Sequence, residues 1–299
     1  MNDDRPDDQD AQYKLRVQRF ALSGTERVRG NDMGEFSREM RPVTLTIVPK
    51  HVVRVLTIAI TALLMCYGVT QFVKFWTGHD HMFGVLHLFD LDAENNVPTW
   101  YSSGALLLCA LTLLVIGLGK RDLKDRYAAH WLALAGMLGW ISMDEAASVH
   151  EMSIPLLRPL FQSSGYGGGY LWFTWVVIGA ALVLVVGLSY ARFLAHLPAV
   201  TRRLFVLAAT LYVGGAIGVE MLGAKYAFLF GQRGYPYALL TMTEETLEMV
   251  GVVVLLYSLL TYLGMSSSGV QISIRTEEPR RLKSLTGGVS KPSQSQRSA

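Results

Sequence analysis

Eight ionisable side chains lie within or at the ends of strongly apolar stretches of this sequence. Carboxylate and imidazole groups bind divalent metal ions and relay protons, and either role requires several such groups in one place. Because a charged group near the centre of a bilayer costs roughly 2.5 kcal/mol or more, a cluster of this size inside membrane-spanning helices indicates a functional site. The candidate site residues are Asp144, Glu145, His150, Glu151, Glu220, Glu244, Glu245 and Glu248.

The stretches that carry these residues have the length and composition of transmembrane helices. Hydrophobic residues make up 51% of the 299-residue chain. The stretches are continuously apolar instead of alternating, which excludes the strands of a membrane barrel. We therefore predict an all-α, polytopic membrane helix bundle with about six transmembrane helices and the lipid bilayer as its environment. The predicted spans are 53–75, 99–119, 128–150, 170–191, 204–225 and 238–263.

Lys and Arg residues are distributed unevenly between the two sides of these spans. Twenty-three of the 27 fall in the two tails and in the loops near 120–126 and 192–203, and four fall on the other side. The positive-inside rule then places both termini in the cytoplasm, as in a bacterial inner-membrane protein. We expect no nucleic-acid partner, because the basic charge of the last residues fits contact with anionic lipid. The predicted segments are a polar cytoplasmic N-terminal tail (1–50), a six-helix transmembrane domain (51–264) and a disordered basic cytoplasmic tail (265–299).

This topology brings the candidate acids to one depth in the membrane. Spans three and five run outward and span six runs inward, so their acidic positions all lie toward the outer side. Helical spacing places Asp144 and Glu151 on one face of span three, and Glu244 and Glu248 on one face of span six. Since acids must avoid lipid, we expect these two faces to meet, with Glu220 nearby, in a pocket open toward the outer side.

Three other features have plain structural explanations. Glycines surround Glu220 on span five, and small residues of this kind usually serve close packing between helices. Trp175 fits an aromatic anchor at the membrane interface. The alternating acids of 90–94 resemble the start of a calcium loop. However, Asn95 replaces the turn glycine and Tyr101 replaces the final acid, so we expect no EF-hand there.

The chain resembles a family of uncharacterised bacterial multi-pass membrane proteins in three blocks of sequence. These blocks are FDLDAENNVPTWYSS at 89–103, MDEAASVHE at 143–151 and EETLEMVG at 244–251. The resemblance extends over nearly the whole membrane region. It implies a bacterial source and importance for the DEAxxxHE and EExxEMxG patterns, and it implies no particular activity.

A divalent-metal site is the class of function that we prefer for this acid cluster. A bound iron, manganese or zinc ion offsets the repulsion among seven close carboxylates and suits oxidoreductase or hydrolase chemistry. The sequence departs from a di-iron bundle in one respect. The Glu-x-x-His pattern is missing, since His150 follows Glu145 by five positions.

Two other classes of function stay open at this point. A proton- or cation-coupled transporter would use the acids as carriers, although the inner halves of the spans contain no acid to complete a path. A structural scaffold would hold helices together through protonated, hydrogen-bonded acids, which explains two or three acids more easily than seven. The sequence leaves open the oligomeric state and whether the substrate is a small molecule or a lipid.

Overall fold

The computed structural model describes residues 46–78, 84–163 and 168–266, and within these ranges the chain is helical, with no β-strand. The chain separates into two compact units, Met1–Val52 and Val53–Ala299. The predicted tails over 1–50 and 265–299 lie outside the described residues except where they adjoin the first and last helices. A π-helical segment, Gly214–Val219, joins α7 to α8. The helices are α1 (Pro49–Thr77), α2 (Val85–Leu88), α3 (Val97–Asp122), α4 (Ala128–Ala147), α5 (Ile154–Ser163), α6 (Trp175–His196), α7 (Ala199–Val213), α8 (Glu220–Phe230) and α9 (Tyr235–Ser266).

Five helical stretches in the described part of the chain are long and apolar enough to cross a membrane. They are α1, α3, α6, the run Ala199–Phe230 and the Tyr235–Met265 part of α9. Four of them enclose predicted spans, and α6 begins and ends five residues later than the predicted 170–191. The prediction of an all-α bundle with several membrane-length helices is therefore confirmed for these residues.

The helix at the predicted third span, 128–150, is shorter than the prediction. This helix is α4, which has 20 residues and ends at Ala147. Helix α4 is not among the five membrane-length apolar stretches. His130, Asp144 and Glu145 all lie within it and lower its mean hydropathy. The count of six spans consequently stays a prediction.

Helix α9 occupies the centre of the bundle. It packs against α3, α7, α8 and the π segment, and its Met249 and Leu259 side chains are almost fully buried. Leu63 and Tyr67 of α1 join the core cluster that contains Met249. Helices α3 and α4 form a hairpin around the loop 123–127 and pack along each other. Between helices in lipid such contacts act through close packing, and here they hold α4, α8 and α9 together.

Helices α4 and α6 meet at the end of the bundle that carries the 123–127 loop. The rings of Trp131 and Phe193 lie 5.0 Å apart between their centroids, and both side chains are buried. The Tyr190 hydroxyl donates a hydrogen bond to the backbone carbonyl of His130 at 3.1 Å. This aromatic contact fixes one end of α6, whose remaining surface is largely exposed.

The loop before α3 is organised by one asparagine. Asn96 is the N-cap of α3, where its side-chain oxygen accepts a hydrogen bond from the Thr99 backbone N–H at 3.1 Å. Its side-chain nitrogen donates to the carbonyl oxygens of Asp90 and Ala93 at 2.6 and 2.7 Å. A cap of this kind typically stabilises a helix by about 1 kcal/mol. It also holds the acids of the 90–94 loop beside the start of α3.

Candidate functional site

A cavity of about 440 Å³ lies at the end of the bundle opposite the 123–127 loop, and all eight residues selected from the sequence line it. Asp92 and Glu94 line it too, so nine Asp or Glu side chains face one space. None of the described residues around the cavity is Lys or Arg. Positive charge for these carboxyl groups must therefore come from protons or from a bound cation.

Asp144 and His150 form a pair at the end of α4. The helix ends because Ser148 adopts a left-handed conformation, with φ of 49°, and its N–H bonds to the Asp144 carbonyl. The Asp144 carboxylate then accepts hydrogen bonds from the His150 backbone N–H at 2.8 Å and from its ring Nδ1 at 2.9 Å. The predicted shared face of Asp144 and Glu151 is wrong, since Glu151 lies in a short 3₁₀ turn beyond the helix. A carboxylate on Nδ1 orients the ring and leaves Nε2 free to bind a metal or a proton.

Glu220 and Glu244 form a second pair, between α8 and α9. Both side chains line the cavity, and each lies close enough to affect the ionisation of the other. The Trp175 indole N–H donates to Glu220 at 3.1 Å. Its ring lies 4.8 Å from that of His150. The interpretation of Trp175 as an interfacial anchor stays a prediction, and its indole also forms part of the cavity wall.

The π segment brings the helix of Glu220 into close contact with α9. A Cβ atom built on Gly215 would lie 2.7 Å from the Glu244 carbonyl oxygen and 2.9 Å from Glu248 Cγ. Both distances are shorter than real Cβ contacts, so only glycine fits there without displacement. π-Helical turns inside α-helices occur frequently at functional sites. Here the turn ends directly before Glu220, at the level of the cavity.

Three further glutamates, Glu145, Glu245 and Glu248, line the cavity from α4 and α9. They are close electrostatic neighbours of one another. Glu145 and Glu248 also line a second, smaller cavity together with Tyr212. Glu145 and Glu245 are neighbouring carboxyl groups at the cavity, where like charges repel each other.

Two acids of the site were missed by the sequence reasoning. Asp92 accepts a hydrogen bond from the Tyr237 hydroxyl at 3.0 Å. Its partial removal from water, together with the negative charge of Asp90, raises its pKa to about 6. Burial also raises the pKa of Glu94, against a hydrogen bond from Ser148 that lowers it. The alternation of acids in 90–94 is the signal that the sequence offers for them. This alternation is also that of a calcium loop, and it does not indicate proximity to the distant acids of α4 and α9.

The carboxyl groups do not form a ready metal centre. Among the described residues, no three His, Cys, Asp or Glu side chains converge in an arrangement that would hold a metal ion. Several instead pair with one another or with His, Trp and Tyr side chains, as above. The divalent-metal site stays a prediction.

The family of the chain follows from its sequence over the same helices. Residues 53–263 match the model of a family described as "Domain of unknown function (DUF8692)". The chain belongs to this family. The match begins within α1, ends within α9 and includes every residue that lines the cavity. No curated protein and no solved structure matches the chain.

Proposed function

We propose that this protein is a six-span integral membrane protein that binds a divalent cation, iron, manganese or zinc, in its acid-lined cavity. One observation carries the proposal: nine carboxyl side chains and His150 share a cavity to which no described Lys or Arg contributes. Two opposite unit charges 4 Å apart attract each other by about 4 kcal/mol at the effective dielectric of a protein, and a dication attracts twice as strongly. A cation is therefore the strongest available compensation for these groups.

Glu145, Glu245 and Glu248 are the ligands that we assign first. They come from two helices that pack into one bundle, and they are close electrostatic neighbours. Each has three rotatable side-chain bonds, so the carboxylates can close on an ion by rotamer changes without moving a helix. Asp144 and His150 stand beside them with one free ring nitrogen. Glu220 and Glu244 would orient the ligands from outside, and Glu151 lies toward the rim.

The topology that goes with this site has both termini in the cytoplasm of a bacterial inner membrane, with the cavity open to the outer side. Its support is the excess of Lys and Arg in the tails and in the two loops at the opposite end. In this arrangement α4 completes the sixth span, because it packs along α3 and returns the chain across the same thickness. A helix of 20 residues rises about 30 Å, which matches the hydrocarbon core.

The chemistry that suits the site is oxidation or hydrolysis at the cation, with the Asp144–His150 pair as proton acceptor. A second candidate function is proton handling in a transporter. It is favoured by one specific observation, the close approach of the Glu220 and Glu244 side chains within the cavity. Metal content distinguishes the two, because a proton carrier has no need of a resident ion.

Metal analysis of the purified full-length protein tests the proposal. We expect one or two divalent ions per chain, and we expect Glu248→Gln to weaken metal binding by roughly 10-fold or more, as even the loss of an outer partner does. Asp122→Asn is the control, because this exposed acid lies at the opposite end of the bundle and should leave the metal content unchanged. Wild-type protein that purifies without metal and takes up no added iron, manganese or zinc would refute the proposal.

A further inference from the structure

The cavity has an apolar wall in addition to its acidic one. Trp140 of α4 and Ile178, Leu182 and Val183 of α6 line it. The same side chains are exposed on the outside of the protein, Leu182 by 51% and Trp140 by 59%. Helix α6 is of membrane length, so the surroundings of its exposed face are lipid. Side chains that line the cavity and also face the lipid mark a lateral opening of the cavity.

This opening is a window between α4 and α6. At one end the two helices are held together by the buried contact between Trp131 and Phe193. At the other end the rings of His150 and Trp175 touch, with centroids 4.8 Å apart. Between these contacts the cavity separates the helices, and it follows α6 from Trp175 to Val183, about 12 Å at 1.5 Å per residue. The window thus connects the acid cluster with the hydrocarbon region.

A short amphipathic helix lies beside the window. The exposed residues Met152, Leu156 and Leu160 follow one another at intervals of four and form an apolar stripe along α5 and the turn before it. Arg158 of α5 donates a hydrogen bond to the Trp172 carbonyl, just before α6. A helix of this kind lies in the membrane interface. The window therefore begins at the depth where the head groups and upper chains of lipids are found.

We infer that the cavity admits from the bilayer a single-chain amphiphile with an amine head group, the amine among the carboxyl groups and the chain in the window. The volume of about 440 Å³ is typical of sites for organic ligands and far exceeds the roughly 10–15 Å³ that one water molecule needs on the same measure. One dication would compensate two of the nine carboxyl groups, so the site still favours a cationic head group and disfavours an anionic one. This inference rests on the same carboxyl groups as the proposed function. An amine can bind to them with or without a metal.

Photolabelling of the full-length protein in phosphatidylcholine nanodiscs tests this inference. The probe is octadecylamine with a diazirine in its chain, and mass spectrometry locates the labelled residues. We expect label in 140–141 and 178–183, displaced by unlabelled octadecylamine and not by stearic acid. Leu182→Trp, which fills the window, should weaken labelling at least about tenfold. Leu184→Trp is the matched control, because Leu184 is exposed on the same helix and does not line the cavity, and it should label like the wild type.

Three results would overturn the inference: equal displacement by stearic acid, label spread evenly over the lipid-facing helices, or normal labelling of the Leu182→Trp variant. Metal analysis of the same preparations separates this inference from the proposed function. Metal without window labelling refutes the amphiphile alone, and window labelling without metal refutes the metal site alone. The Leu182→Trp variant should keep its metal, because Leu182 contributes no ligand atom.

Discussion

Gly215 is the point at which the helix that carries Glu220 comes closest to α9, and its replacement by alanine should loosen the site. The added Cβ would lie 2.7 Å from the Glu244 carbonyl oxygen, about 0.7 Å short of the 3.4 Å at which ordinary contacts begin. That oxygen belongs to a helical backbone and cannot rotate away, so the π segment and α9 must separate. Overpacking of this kind typically costs about 1–3 kcal/mol, which corresponds to a decrease in apparent Tm of roughly 2–10 °C.

Gly214→Ala is the matched control for this substitution. Gly214 precedes Gly215 in the same segment, and a Cβ there would meet no atom within 4 Å. Alanine should therefore be neutral or slightly stabilising at position 214, because it restricts the unfolded chain. Thermal unfolding of both variants in one detergent measures the difference, and metal retention reports whether Glu248 has moved. Equal Tm values for the two variants would show that the close contact at Gly215 does not constrain the bundle.

Three further predictions concern topology, a titrating group and a helix cap. In a cysteine-free background, a cysteine at Gln162 should react with an impermeant reagent added outside whole cells and one at Asp122 should not; the reverse pattern would invert the orientation. Because the pKa of Asp92 is raised to about 6 in the folded state, its contribution to stability is lost as the pH rises from about 4 through 6. Asp92→Asn should then raise the apparent Tm more at pH 7.5 than at pH 4. The corresponding gain in the free energy of unfolding should be less than about 1 kcal/mol, because solvent screens this accessible side chain. Asn96→Ala should lower the free energy of unfolding by about 1–3 kcal/mol, measured by thermal unfolding, because it removes the cap and two bonds to loop carbonyls.

The helices that follow from the sequence are those in which a continuous apolar run decides the structure. The predicted spans 99–119 and 238–263 lie inside α3 and α9, and the helices extend beyond them by a few residues at each end. Those extensions depend on polar groups such as the Asn96 cap. A hydropathy pattern has no information about them, because it records only what partitions into lipid.

The end of α4 was missed because nothing in Ala-Ala-Ser-Val marks a helix terminus. No glycine or proline is present, and a serine with positive φ is uncommon. The Asp144 side chain supplies the reason by accepting the His150 backbone N–H that a continuing helix would have used. The same carboxylate that the sequence assigned to a helix face therefore ends the helix, and it thereby places His150 in the cavity.

Long-range contacts account for the other differences. Trp175 finds its partner Glu220 45 residues away, and Asp92 finds Tyr237 145 residues away. Composition predicts only that a tryptophan or an acid lies near the membrane surface. It does not determine whether the side chain faces lipid, water or a cavity. Only the arrangement of the helices separates these cases. The acids of α4, α8 and α9 could be grouped beforehand because their common depth follows from the spans alone.

The pairing of the acids bears on the three classes of function. A scaffold of protonated acids should leave each carboxyl group with a hydrogen-bond partner, because an unpaired buried group costs more than its pairing contributes. Glu220 meets this expectation with Trp175, and so does Asp92 with Tyr237. Glu145 and Glu245 are instead neighbouring carboxyl groups that repel each other when ionised. A ligand that brings positive charge would relieve this repulsion, and both the metal ion and the amine head group that we propose would supply it there.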